Sequence, residues 1–459
     1  MGALQAALNR HSVHLATSIA ARLVEAYPDN PQLLQALGHC LCLRGNDQAA
    51  LGFLKQALEK KPTDAAIRFN LVIAQLWAGQ SQEAQHTLHG LPESLWTHPR
   101  FMQLAVEIFL ASDDRRPETV RDALALCEQL LQGQANHPEK LLLKGQVLSE
   151  AGDLDLALTV FERAWQVLEA QPTSADAPVL SPLATRLLYH WAEALGRQAP
   201  EDAERVCDML WRACEQRPYS RFTARAWDDL QTWIGRSPAP QHASVATLHE
   251  RIRSIWAQYG GEQLTTSFGD FGLPYQGFEP LWLPGTRPTR ARLAIYGLDE
   301  VLPEHARALD IGCNHGYLLV GLGERLSQGD GFDISQACVD VGNEVAAFMG
   351  HDHIRLWQDT FESFISGESG EYDLVIACAV HHWIGMPLDA FGEHLYRLCR
   401  PGGVVLLESQ GRRRTDLGEE GFADKVRCVE QAGFETIRQG DLCDDAVNYR
   451  EFRLLRRRG

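Results

Sequence analysis

A repeating spacing of small residues restricts the first half of this chain more than any other feature. Residues Pro31–Asp64 read PQLLQALGHCLCLRGNDQAALGFLKQALEKKPTD, with Gly38, Gly45, Ala50, Ala57 and Pro62 at fixed offsets. The phase returns at Pro138–Gln171 in Gly145, Gly152, Ala157, Phe161 and Ala164. Weaker copies run through Gly79 and Ala84, through Ala123, Cys127 and Leu130, and through Ala203, Cys207 and Leu210. Small residues at such offsets let the two helices of a hairpin approach closely. A glycine makes the turn and a proline stops the second helix. One hairpin cannot bury its apolar face alone, so copies must stack. The spacing predicts about five or six helical hairpins between residue 1 and about residue 235. SDDRRPET and QPTSADAPVLSP break the period and are expected to be loops.

The pattern resembles the tetratricopeptide repeat family. The resemblance implies an all-α solenoid whose concave face binds a protein partner, a peptide or a second copy of the chain. No residue of this half suggests catalysis.

The chain has 459 residues, too many for one core. Its formal charge of −17 and pI of about 5.5 argue against a nucleic-acid backbone as the main partner. Eleven cysteines are scattered with no metal-ligand spacing. This pattern fits a reducing compartment with neither structural disulfides nor a metal. No apolar run approaches the roughly 20 residues of a membrane span. The N-terminal residues have no signal-peptide layout. A cytoplasmic location is expected.

IGRSPAPQHAS is a Pro/Ser/Gly-rich break near residues 235–241, and a helix is expected over Val245–Tyr259. The region 236–289 reads as a linker followed by an aromatic lid segment without a clear period. There Phe271, Tyr275 and Trp282 are placed to cover a flat ligand, and Arg287, Arg290 and Arg292 to hold an anion. An ordinary capping segment with surface arginines is the alternative.

From Arg307 onward, apolar runs that read as buried strands alternate with helical patterns, as in ARALDIGC, YDLVIACAV and GGVVLLES. The alternation predicts a mostly parallel, doubly wound sheet over 290–459, with ligands at the carboxyl ends of its strands. The first strand runs into LDIGCNHGYL. This turn lacks the G-x-G-x-x-G that cradles a pyrophosphate. It has an acid, Asp310, two residues before Gly312, and then Asn314 and Gly316.

D-x-G-x-(G/N)-x-G is the pattern of the class I S-adenosylmethionine methyltransferases, which this half resembles. Asp333, Asp359, ACAVHHW and RPGG follow in the family's order. The resemblance implies a Rossmann-like methyltransferase domain with S-adenosylmethionine as cofactor. Asp310 would meet the ligand's ammonium, and Gly312, Asn314 and Gly316 would close on its methionine and ribose. Asp333, beside Ile334, would take the ribose hydroxyls. Asp359, beside Thr360, would meet the adenine, and Ala377 would lie along the strand leading to the methyl. His315 reads as a bystander.

Methyl transfer depends largely on placing the acceptor. It needs a base only when the acceptor must lose a proton. His381 and His382 stand where the transferred methyl is expected. Strand alternation favours one of them, His382, as a base or acceptor contact. Trp383 and Tyr275 are candidates for walls of the acceptor pocket. Glu408, Arg287 and Arg412 are candidates for acceptor binding, the arginines suiting an anion. The stretch from CNHGYL through HHWIGMP to LESQ also resembles two groups that methylate phosphates. These are the methyltransferase half of bacterial polysaccharide chain terminators and the RNA 5′-phosphate capping methyltransferases. An O-methyltransferase acting on a glycan, phosphate or other metabolite is therefore expected, with the repeats recruiting a partner or a second copy. A protein or peptide methyltransferase whose repeats dock the substrate, and a non-catalytic scaffold, are the alternatives.

Overall fold

The computed structural model describes Gly2, Leu4, Gln5 and residues 13–170, 182–215, 221–237, 240–260, 274–367, 371–410, 421–442 and 450–459. The chain divides into two compact units, Met1–Ala239 and Pro240–Gly459.

The first unit is helical. Pro31–Leu43 pairs with Asp47–Lys60, Ala65–Trp77 with Ser81–His89 and Pro99–Ala111 with Pro117–Leu131. Pro138–Ala151 then pairs with Leu154–Glu169, and Pro182–Gln198 with Ala203–Cys214. Proline opens several of these helices, where its missing N–H costs nothing. Asn30 and Asp64 cap the next turns, each Oδ1 accepting two backbone N–H groups. The small residues act as their spacing suggests. A Cβ at Gly38 would lie 2.6 Å from Leu54 Cγ, and one at Gly145 would collide with the Phe161 ring. Ala50, Ala57, Ala157 and Ala164 are fully buried. Gly145→Val should therefore lower stability by about 2 kcal/mol through overpacking, read as a lower urea midpoint of the helical signal. An unchanged midpoint would show that Phe161 can move aside.

The second unit is built on a seven-stranded sheet. Its strands are β1 (Ala306–Ile311), β2 (Leu326–Asp333), β3 (Ile354–Gln358), β4 (Tyr372–Cys378), β5 (Cys399–Glu408), β6 (Phe434–Leu442) and β7 (Arg450–Arg457). Their order is β3-β2-β1-β4-β5-β7-β6, with β1 to β5 parallel and β7 antiparallel to both neighbours. The central strands are apolar on both faces because helices cover both. Leu309, Ile311, Val375, Val405 and Leu407 face a core with Phe361, Phe391 and Leu395. The order reverses between β1 and β4, and such a switch point opens a crevice at the carboxyl ends of the strands.

Two local features of this unit bear on the site. YLLVGLGERL gives only a short helix, Tyr317–Gly321, and then a 3-10 turn, and β2 already begins at Leu326. A Cβ at Gly321 would lie 2.7 Å from a Leu293 methyl carbon, and one at Gly323 would run into the His351 ring. The close neighbours admit glycine there, and glycine weakens a helix. Within the aperiodic lid segment, the described residues from 274 onward form backbone pairs of their own. Gln276–Gly277 pairs in parallel with Arg287–Pro288, and Phe278 bridges Leu283. Glycines at 277 and 285 let these backbones touch. Phe271 lies outside the described residues.

Candidate functional site

Asp310 is the penultimate residue of β1 and is buried at the switch point. Three left-handed residues follow at alternate positions, Gly312 (φ 68°), Asn314 (φ 54°) and Gly316 (φ 64°). Side chains at the two glycines would be doubly penalised, by the backbone angle and by their neighbours. A Cβ at Gly312 would lie 2.5 Å from Val380 Cγ2, and one at Gly316 would lie 2.6 Å from Leu356 Cδ1. Asparagine is among the few other residues that tolerate this region. The turn is fastened by Cys313 N–H to Phe332 O at 2.9 Å and Gly316 N–H to Cys313 O at 2.9 Å. Gln276 Nε2 also donates to Cys313 O, at 3.4 Å, tying the lid segment to the turn.

Asp333 ends β2 beside this turn. Its two carboxylate oxygens accept Asn314 N–H at 2.8 Å and Ser335 N–H at 2.9 Å, which fixes their direction. Asp359 follows β3. Its N–H donates to Asp333 O at 3.1 Å, and its carboxylate accepts Thr360 N–H at 2.8 Å. Ile334 is 71% exposed next to Asp333. Asp310, Asp333 and Asp359 thus stand in order at the ends of three adjacent strands. Ala377 is buried in the core cluster, and alternation turns its side chain to the opposite sheet face from Asp310. Burial raises the Asp310 carboxyl to about 8, with Arg292 pulling it back and Asp333 pushing it further. Burial also raises Asp333, against the backbone N–H groups that favour its charge. His315 is buried and stacked on Tyr317 at 5.1 Å, and burial lowers its ring to about 4.

The β4 end carries a feature the sequence does not show. Ala379 has φ 56°, a strained value for alanine, and Gln410 Nε2 bonds its carbonyl. The chain then enters the four-residue helix His381–Ile384. The paired histidines part here. His381 turns inward, its Nε2 on Met386 O at 2.9 Å and its ring on Phe391 at 4.9 Å. His382 is exposed and meets Trp383 edge-on at 5.2 Å, and Trp383 is 63% exposed.

Arg287 and Glu408, expected at the acceptor, are engaged with each other in a buried cluster. Arg287 Nη2 and Arg450 Nη1 reach Glu408 Oε1 at 3.1 and 3.0 Å. Arg292 Nη2 reaches Oε2 at 3.4 Å, and the Tyr296 hydroxyl donates to the same oxygen. Alternation along β5 puts Glu408 on the sheet face covered by the helix Thr289–Tyr296. Burial alone would raise the Glu408 carboxyl, but the three guanidiniums outweigh it and hold the group well below the usual carboxylate range. Tyr275 is half-buried with the Arg450 guanidinium 5.9 Å over its ring. Arg412 lies outside the described residues. Tyr296 and Arg450 carried no sequence signal, being single residues far from the motifs.

The sheet order and the acid ladder around a non-pyrophosphate turn define a Rossmann-like methyltransferase fold. Residues 309–405 match the family model described as a methyltransferase domain, and residues 45–101 match that of a tetratricopeptide repeat. The chain therefore carries tetratricopeptide repeats in its N-terminal half and a methyltransferase domain in its C-terminal half. It is 28% identical over 120 residues to an uncharacterised protein of Rickettsia prowazekii (strain Madrid E), covering 25% of this chain and 46% of that one. It is 24% identical over 152 residues to the U6 snRNA methylphosphate capping enzyme Amus of Drosophila melanogaster, covering 28% and 51%. The chain thus spans about half the length of the curated relatives it matches. Among solved structures, a putative sarcosine dimethylglycine methyltransferase from Galdieria sulphuraria is similar, at 15% identity, 36% and 83% coverage and a TM-score of 0.31. No helix among the described residues is long and apolar enough to cross a membrane.

Proposed function

We propose that the second unit transfers a methyl group from S-adenosylmethionine to an oxygen acceptor. The observation that carries this reading is the pair of acids flanking the left-handed turn. Asp310 is a buried acid that favours a cationic ligand group, and Asp333 presents oxygens already oriented by two backbone N–H groups. Together they fit the ammonium and the ribose diol of the cofactor, which supplies the sulfonium methyl when bound. Gly312 and Gly316 leave the backbone free of side chains where the ligand approaches. His382 is the exposed histidine at the strand end and is assigned the proton of a hydroxyl acceptor; a phosphate or carboxylate oxygen needs no base. Trp383 is its wall. The capping-enzyme relative and the sequence likeness to phosphate methyltransferases favour an oxygen acceptor of glycan or phosphate type. The repeats are assigned to a protein partner or a second copy, and a cytoplasmic location fits this reading.

Calorimetry with S-adenosylhomocysteine tests the cofactor assignment. The ligand's ammonium favours the ionised form of Asp310, so binding strengthens as pH rises from 6 towards 8. Near pH 7 most Asp310 carboxyls are protonated, and binding should expel close to one proton. Comparing buffers of different ionisation enthalpy reads this number, and Asp310→Asn should bring it near zero. Failure of the wild-type protein to bind the ligand would sink the assignment. Methyl-label transfer into a fractionated host lysate then identifies the acceptor.

A further inference from the structure

In a stack of helical hairpins each repeat touches its neighbours, and nothing in that arrangement requires the first hairpin to meet the last helix. In the first unit they do meet. Arg221, the first residue of the helix Arg221–Ile234, reaches back 174 positions to Asp47. Its Nη1 donates to Asp47 Oδ2 at 3.2 Å and its Nη2 to Asp47 Oδ1 at 3.0 Å, a two-pronged fork. Nη2 also donates to Cys42 O at 3.1 Å. The Trp77 ring lies under the guanidinium at 4.0 Å. The Arg221 and Asp47 side chains are only 17% and 15% exposed.

These are three different modes of guanidinium recognition around one group: a carboxylate matching its fork, a carbonyl acceptor and an aromatic face. An ammonium satisfies neither the fork nor the flat stacking. Asp47 opens one helix, Cys42 lies near the end of another and Trp77 ends a third, so the folding of the first two hairpins creates the pocket. Asp47 and Trp77 both fall within the segment that matches the repeat family.

We propose that Asp47, the Cys42 carbonyl and Trp77 form a guanidinium-binding site, filled in cis by Arg221, through which the repeats take an arginine side chain of a partner protein when Arg221 is displaced. The cis contact then acts as a clasp joining the last helix of the unit to its first two hairpins. The repeats thereby select arginine-bearing segments over lysine-bearing ones.

Chemical rescue of full-length Arg221→Ala tests this. Hydrogen exchange of the Pro31–Leu43 and Asp47–Lys60 amides should quicken about tenfold in the variant, because the tie to the helix Arg221–Ile234 within the same unit is lost. N-acetyl-L-argininamide at tens of millimolar should restore the protection, and N-acetyl-L-lysinamide should not. Arg221→Ala combined with Asp47→Asn should lose the rescue. Should the alanine variant fail to fold, Arg221→Lys keeps the aliphatic stem and the charge but lacks the fork, and the same arginine probe should protect it. Exchange that is unchanged in Arg221→Ala overturns the clasp. Rescue that is absent, or equal for both probes, overturns the binding site.

Discussion

Glu408→Gln should cost about 3–5 kcal/mol of stability in the second unit, the usual range when one partner of a buried charge cluster is removed. The substitution changes almost no volume. It leaves Arg287, Arg292 and Arg450 gathered around a neutral amide that answers none of their charge. Glu408 lies on β5, Arg450 on β7 and the other two arginines on the segment leading into β1, so the loss spreads through the parts that frame the site. Hydrogen exchange of β5 and β7 amides against urea would read it. The pH dependence gives a second check. Glu408 titrates below its ordinary value of 4.5 in the folded protein. Its contribution is therefore complete above about pH 4.5 and fades as pH falls below that towards the folded value. Wild type and Glu408→Gln should differ fully at pH 7 and converge in acid. A difference that stays constant down to pH 3 would mean that packing, not charge, holds the cluster.

What could be read from the sequence divides along the same physical line. Periodic features were legible because they repeat a local rule. The offsets of Gly38, Ala50, Gly145 and Phe161 report helix contact directly, and the apolar strands report a sheet covered on both faces. The turn was legible because only glycine and a few other residues tolerate φ near +60°, so Gly312, Asn314 and Gly316 mark its shape. Side-chain direction at the rim was not legible. Glu408, Arg287 and Arg292 read as surface groups awaiting an acceptor, since nothing local says they face each other across more than 100 residues of chain. Adjacent His381 and His382 look equivalent in sequence. The left-handed Ala379 and the short helix after it separate them, and no residue there signals that geometry. Arg221 likewise finds Asp47 only once the stack of hairpins has brought both ends together.

The cofactor reading makes its largest demand on Asp333. Asp333→Ala should weaken S-adenosylhomocysteine binding at least 100-fold, on the reckoning that each hydrogen bond to a charged group is worth roughly 1.5–3 kcal/mol and that each 1.4 kcal/mol is about tenfold. The alanine also removes the acceptor for Asn314 N–H and Ser335 N–H, so part of any loss could come from a loosened turn. A ligand comparison separates the two. Against the 2′,3′-dideoxy analogue of S-adenosylhomocysteine, which has no ribose hydroxyls, wild type and variant should bind alike. A variant that loses both ligands equally places the effect in the turn, where Asp333 would serve as a brace for Asn314. A variant that loses only the natural ligand assigns the carboxylate to the ribose diol, and the turn to an adenosine carried without phosphates.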